Sequence, residues 1–141
     1  MIKNLNILLV EDDDVAAESV TRSLAKIAPD IPIVVASHGK EALEILRSDD
    51  NPSPLHWPFI VLLDLNMPIM NGLEFLEEVR QSDDLKDLVI FVLTTSDAET
   101  DRTQAYFHNI AGYMVKSAVG PQFSKLASLL ITYQKAVELA P

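Results

Sequence analysis

Polar side chains stand where four apolar runs stop. Leu5 to Val10 ends abruptly in Glu11-Asp12-Asp13-Asp14, Phe59 to Leu63 ends at Asp64, Val89 to Leu93 at Thr94, and Gly112 to Val115 at Lys116. In an open parallel sheet, ligands bind beyond the carboxyl ends of the strands. If these runs are such strands, one rim gathers three carboxylates, a hydroxyl and an ammonium. Carboxylates so placed repel each other unless a cation neutralises them. An oxygen-only donor set without His or Cys indicates a hard metal, and Mg²⁺ fits because it accepts few carboxylates and keeps several waters. Acids that follow a strand also serve simply to cap the next helix, an adequate account of Asp13 and Asp14. It does not account for Glu11, Asp12 and Asp64 together.

The segments between the runs have helical spacing. The first helix reaches Ala28 and is closed by Pro29, with Val15, Ser19, Val20, Leu24 and Ile27 near one face. Ile33 to Ala36 is a further strand, and Gly39 to Arg47 a short helix with Ala42, Leu43 and Leu46 inward. Gly72 to Gln81 turns Leu73, Leu76 and Val79 inward; Ala98 to His108 forms a fourth helix. The last helix is expected from Pro121 to Leu139, with proline at its first position. Ser48 to Pro58, with Pro52, Pro54 and Pro58, reads as an exposed loop. Five strands alternating with five helices indicate an α/β domain, and continuous apolar strands indicate a parallel sheet covered on both faces.

The chain of 141 residues suits one domain spanning residues 1–141 and is 48% hydrophobic, enough for a core. Without cysteine, disulfides and thiolate metal sites are excluded, and a reducing cytoplasm is the expected setting. A net charge of −10 opposes binding to the DNA backbone. No apolar run approaches the ~20 residues that span a bilayer. The start at Met1-Ile2-Lys3-Asn4 lacks the apolar stretch of a signal peptide.

Five strings in order, Leu8-Leu9-Val10-Glu11-Asp12, Leu63-Asp64-Leu65-Asn66-Met67-Pro68, Met70-Asn71-Gly72, Leu93-Thr94-Thr95 and Gly112-Tyr113-Met114-Val115-Lys116, closely resemble receiver domains of two-component response regulators. The resemblance runs from Leu5 to about Leu130. It implies a doubly wound, flavodoxin-like fold with strand order 2-1-3-4-5, and a role in phosphorelay signal transduction rather than catalytic turnover. Asp64 would be the phosphoacceptor. Asp12 would ligate Mg²⁺ with Asp64, Glu11 would act mostly through a metal-bound water, and Asn66 would offer its backbone carbonyl. Thr94 would hydrogen-bond a phosphoryl oxygen, Lys116 would pair with its charge, and Tyr113, three residues before Lys116, would be the switch aromatic beside Thr94. Phosphoryl transfer to a carboxylate is chiefly positioning and charge neutralisation, which these groups supply.

Two departures stand out. Receivers usually have a cis proline after the lysine, where this chain has Ser117; a non-proline cis bond costs ~3 kcal/mol, so a trans Lys116-Ser117 peptide is expected. Thr95 stands where a smaller residue is common. The long Ser48–Pro58 segment, with Leu63-Asp64-Leu65-Asn66-Met67-Pro68 and Leu93-Thr94-Thr95-Ser96-Asp97-Ala98-Glu99, resembles the subgroup that serves phytochrome-type and other sensor histidine kinases. A haloacid-dehalogenase-like phosphatase would need an acid two residues after Asp64, where this chain has Asn66. A nucleotide binder would need a glycine-rich phosphate loop in place of Glu11-Asp12-Asp13-Asp14. A degenerate receiver that only binds a partner would not need every acidic, hydroxyl and lysine position filled. His38, His56 and His108 read as surface or loop residues, and Gly39 and Gly72 as turn or helix-start glycines. A last helix of about eighteen residues, about 27 Å long, would overhang the sheet and expose Ile131 and Leu139. That overhang suggests a homodimer through the fourth helix, fifth strand and fifth helix, besides a kinase and a downstream protein partner.

Overall fold

The computed structural model describes residues 5–48, 59–118, 123–137 and 139. Strands β1 (Asn6–Val10), β2 (Ile33–Ala36), β3 (Phe59–Leu63), β4 (Val89–Thr94) and β5 (Gly112–Val115) form one parallel sheet in the order β2-β1-β3-β4-β5. The helices between them are α1 (Asp14–Ile27), α2 (Gly39–Arg47), α3 (Gly72–Gln81) and α4 (Glu99–Phe107). After β5 comes a 3₁₀ turn (Lys116–Ala118) and then α5 (Ser124–Ala136). The expected doubly wound α/β fold is the observed one.

Alternation along the strands explains why they are apolar on both faces. Leu8 and Val10 of β1 face α2, α3 and α4 with Val61, Leu63, Phe75, Leu76 and Val92. Ile7 and Leu9 face the other way, against α1 and α5, with Val20, Leu24, Ile60, Leu62, Leu126 and Leu130. Both faces are covered, so the central strands are apolar apart from the buried Asn6 at the start of β1 and Thr94 at the end of β4. Each buried Leu or Ile contributes roughly 1.5–3 kcal/mol, and the two layers together hold the strand ends in register.

The helices differ in how well they are fixed. Asp13 caps α1 through the backbone N–H groups of Val15 and Ala16, as its sequence position implied. In α3, Asn71 and Glu74 form a reciprocal capping box. Helix α4 has no side-chain cap at its start and buries only Ala105.

Several expectations change. In α1 the buried residues are Ala17, Val20, Ser23 and Leu24, whereas Val15 is 77% and Ile27 48% exposed. The buried stripe combines the expected Val20 and Leu24 with the small Ala17 and Ser23. In α3, Phe75 is fully buried and Leu73 only partly so. Helix α5 has 13 residues, begins after Phe123 in a left-handed conformation (φ 59°), and ends before Val137. Leu139 packs against the α1–α5 core rather than facing outward. The overhang expected of a longer helix is therefore missing from the described chain. Pro121, and residues 49–58 of the expected loop with His56, lie outside the described residues.

Gly72 ties α3 to the rim. A Cβ there would lie 2.4 Å from the Asp64 carbonyl oxygen and 2.7 Å from the Leu65 Cα, both backbone atoms that cannot step aside. At Gly39 the nearest atoms are the Met70 side-chain Cγ and Sδ, at 2.8 and 2.9 Å, with the Met70 carbonyl oxygen at 3.1 Å, a looser fit to backbone than at Gly72. Gly72→Ala should therefore lower the unfolding free energy by about 2–3 kcal/mol and Gly39→Ala by about 1 kcal/mol or less. Urea unfolding of the two variants checks the order, and equal losses would contradict it.

Candidate functional site

Neighbouring strands deliver the rim residues side by side. The Glu11 N–H donates to the Ala36 carbonyl and the Asp64 N–H to the Val10 carbonyl, at 2.9 and 3.0 Å. The sheet ladder thus runs one step past the strand ends and carries both acids with it. Thr94 is the last residue of β4, next to β3, and Lys116 follows β5. Glu11, Asp64 and Thr94 are 3, 6 and 0% exposed, while Asp12 is open to solvent.

One carboxylate oxygen from each of Glu11, Asp12 and Asp64 lies within 4.8 Å of the others. Lys116 reaches across from β5, its Nζ 2.5 Å from Glu11 Oε1 and 3.6 Å from Asp64 Oδ2. The second Glu11 oxygen accepts from the Asp13 N–H at 3.2 Å, and Asp64 Oδ1 from the Asn66 N–H at 3.3 Å. Five of the predicted residues (Glu11, Asp12, Asp64, Asn66 and Lys116) therefore meet in one pocket. Thr94 stands on the adjacent strand, where its Oγ1 accepts from the Ser96 N–H at 3.3 Å.

Burial, reinforced by the Asp64 charge, pushes the Glu11 carboxyl up to about 7 against the opposing pull of Lys116. Burial also acts to lower the Lys116 ammonium, but its hydrogen bond to Glu11 and the Asp64 charge outweigh that, and its pKa rises. The lysine is therefore a fixed positive charge, whereas Glu11 titrates near neutrality. Its surroundings, not its type, decide which acid holds a proton.

Tyr113 is half-buried against the α2–α3–α4 core. Its hydroxyl donates to the Ser96 carbonyl at 2.9 Å, and the Arg102 guanidinium lies 5.9 Å from its ring centre. Burial, partly offset by that hydrogen bond, raises its pKa. Ser96 has a role that its place in the Leu93–Glu99 string did not assign. It connects the Thr94 hydroxyl to Tyr113, and its own Oγ donates to Asp101 at 2.6 Å and accepts from the Ala98 N–H at 3.3 Å. A serine two residues beyond a strand end and five before an acid in a helix's first turn was the available signal. His38 is more than a surface residue, since its Nδ1 accepts from the Glu41 N–H and caps α2. Thr95 is exposed, and Lys116, Ser117 and Ala118 form the 3₁₀ turn.

Comparison with known proteins agrees with this arrangement. Residues 7–127 match the family described as response regulator receiver domain. Response regulator Rcp1 of Synechocystis sp. is 34% identical over 111 residues, 79% of this chain and 76% of that protein. The crystal structure of the phosphorylated cyanobacterial phytochrome response regulator RcpA superposes with a TM-score of 0.83 at 28% identity, covering 96% of this chain and 98% of that one. The Mn²⁺-bound form of Rcp1 gives 0.82 at 31% identity, covering 96% and 99%.

The Glu11 shift has a sign that can be measured without metal. The folded protein holds this proton up to about pH 7, whereas the ordinary carboxyl value is 4.5. The stabilisation is present below 4.5 and lost as pH rises through 7. In chelator, the unfolding free energy of the natural protein minus that of Glu11→Gln should fall across this window and level off above it. A difference that is flat or rises with pH would contradict the assignment.

Proposed function

We propose that this chain, which belongs to the response regulator receiver domain family, accepts a phosphoryl group on Asp64 from a sensor histidine kinase in a Mg²⁺-dependent reaction. Receivers are phosphoacceptor signalling domains rather than enzymes that turn over a separate substrate, and the acidic pocket of Glu11, Asp12 and Asp64 serves phosphorylation. The observation that carries the choice of Asp64 is its position. It ends the central strand, between the Glu11 strand and the Thr94 strand, with the Lys116 ammonium 3.6 Å away. Glu11 is engaged at both oxygens, by Lys116 at 2.5 Å and by the Asp13 N–H at 3.2 Å. Asp12 is too exposed to shelter an acyl phosphate from water.

The donor set suits a hard cation: three carboxylates within 4.8 Å, no nitrogen or sulfur ligand, and one member open to solvent for metal-bound waters. Asp12, Asp64 and the Asn66 carbonyl would hold Mg²⁺, with Glu11 acting through water. When bound, the ion neutralises charge on the transferring phosphoryl group. An Asp64 carboxylate oxygen forms the new O–P bond as the P–N bond to the donor imidazole breaks. Lys116 then exchanges part of its contact with Glu11 for the phosphoryl charge, and Thr94 turns its hydroxyl from Ser96 to a phosphoryl oxygen. Release of Ser96 is felt at Tyr113, which bonds to the same residue.

A phytochrome-type kinase is the partner favoured by similarity to RcpA and Rcp1, the first of which is named as a phytochrome response regulator. Output passes to a downstream protein, since the charge of −10 disfavours DNA. Among the described residues no helix is long and apolar enough to cross a membrane, in keeping with a cytoplasmic role. The reading of residues 1–141 as a single receiver domain belongs here too. So does self-association through α4, β5 and α5, supported by Leu129, 40% exposed on α5, and by the edge position of β5.

With Mg²⁺ and a small phosphodonor, mass spectrometry should show one added phosphoryl group, absent in Asp64→Asn and in chelator. Mg²⁺ at a hundred times its Kd should also stabilise the folded chain by about 2.7 kcal/mol, a gain that Asp12→Ala should remove. Full labelling of Asp64→Asn, or an undiminished Mg²⁺ response in Asp12→Ala, would refute the assignment.

A further inference from the structure

A cleft of about 480 Å³ lies between α3 and α4, away from the phosphoacceptor pocket. One wall is Leu73, Glu74 and Glu77 of α3; the other is formed by Thr103 and Phe107 of α4 with His108 beyond its end. Phe107 is 80% exposed, and its ring meets the His108 imidazole edge-on with 5.4 Å between centres. A lone exposed aromatic needs no explanation. This one stands at the lip of a concave site whose other wall offers apolar surface beside charges of a single sign. Among the described residues no Lys or Arg lines the cleft, and the whole chain carries a net charge of −10.

The cleft is also held open from within. Arg80, at the end of α3, gives its Nε to the His108 carbonyl at 2.6 Å and Nη2 to the Asn109 carbonyl at 3.1 Å. Its Nη1 bonds the Lys86 and Leu88 carbonyls at 2.7 and 2.9 Å. One guanidinium thus fixes the end of α4, where Asn109 takes the left-handed cap conformation (φ 59°), to α3 and to the approach to β4. The positive charge sits on the carbonyls at the C-terminus of α4, where the helix dipole favours it. The walls are therefore preset rather than assembled on binding, which lowers the ordering cost of a complex.

We propose that this cleft docks a cationic amphipathic segment of a partner protein, with an apolar side chain between Leu73 and Phe107 and Lys or Arg groups facing Glu74 and Glu77. Charge complementarity selects this occupant: an acidic segment would place like charges against α3, and a purely apolar one would leave the charge of Glu77 beside it without a counter-charge. Nothing here depends on Asp64 chemistry, so failure of the phosphoacceptor reading would leave this docking surface standing, and the reverse.

The test uses the full chain, isotope-labelled, and a synthetic helical peptide with Leu on one face and Lys at its flanks, alongside the same peptide with Glu in place of Lys. Saturable amide shifts at residues 73–77 and 103–108 are expected for the Lys peptide and none for the Glu peptide. Affinity should fall about tenfold between about 50 and about 300 mM salt. Phe107→Ala and Glu77→Lys change exposed side chains, so thermal unfolding should be unaltered while each weakens binding about tenfold or more. The proposal is overturned by shifts confined to another face, by no saturable binding, by equal binding of the Glu peptide, or by variants that bind as the natural chain does. It is likewise overturned if sedimentation shows that the chain dimerises and Phe107→Ala abolishes the dimer, because the occupant is then a second copy.

Discussion

The arrangement depends on one electrostatic constraint: two carboxylates, Glu11 and Asp64, are buried side by side at the end of adjacent parallel strands. Removing one charge from water without compensation costs several kcal/mol, and two like charges compound it. Compensation reaches them from the far edge of the sheet, through Lys116 at the end of β5. For that ammonium to arrive, β4 must lie between, the strands must be parallel, and their ends must fall on one rim. The order β2-β1-β3-β4-β5 satisfies all three. A proton on Glu11 is the second device, and the raised pKa of that group is its signature. The pocket therefore has several ways to balance charge, and a cation or a phosphoryl group alters which is used.

From this pocket a short chain of contacts leads outward. Thr94, Ser96 and Tyr113 are joined by two hydrogen bonds that share Ser96, and Asp101 ties the same serine to the first turn of α4. Helix α4 is lightly held by packing: it buries only Ala105 and lacks a side-chain cap. Its two ends are held instead by polar contacts, from Ser96 and Arg102 at one end and Arg80 at the other. Arg80 fixes its end with a guanidinium bonded to four carbonyls, whereas the contact at the first end, Ser96 to Asp101, is a single hydrogen bond to a charged group, about 1.5–3 kcal/mol. The packed strands cannot shift so cheaply.

The sheet and the rim were legible because each strand is buried on both faces and ends in a polar residue. Phe59–Leu63 followed by Asp64 is the clearest case. Bounds of β2, α2, β3, α3 and β5 could be read to the residue for the same reason, with Gly39 and Gly72 marking helix starts. Helical faces were less legible. In α1 periodicity found Val20 and Leu24, but Val15 and Ile27 lie outside the packed stripe. The small Ala17 and Ser23 that complete the stripe carry little hydropathic signal. Contacts that need distant partners left no local trace. Arg80 looks like any helical arginine until His108 and Asn109, 28 and 29 residues away, are placed beside it. Ser96 gains its meaning only from Tyr113, 17 residues on.

The dependence of the site on the Glu11–Lys116 contact is open to a double-mutant cycle in metal-free protein, with unfolding free energies of the natural chain, Glu11→Gln, Lys116→Met and the pair measured near pH 8. With both groups charged, removing the ammonium alone leaves two buried carboxylates facing each other, and removing Glu11 alone leaves Lys116 with only the longer contact to Asp64. The account predicts that the double variant is more stable than the sum of the single losses allows, by about 2 kcal/mol. Single losses that simply add would mean the two side chains do not hold each other, and would contradict it.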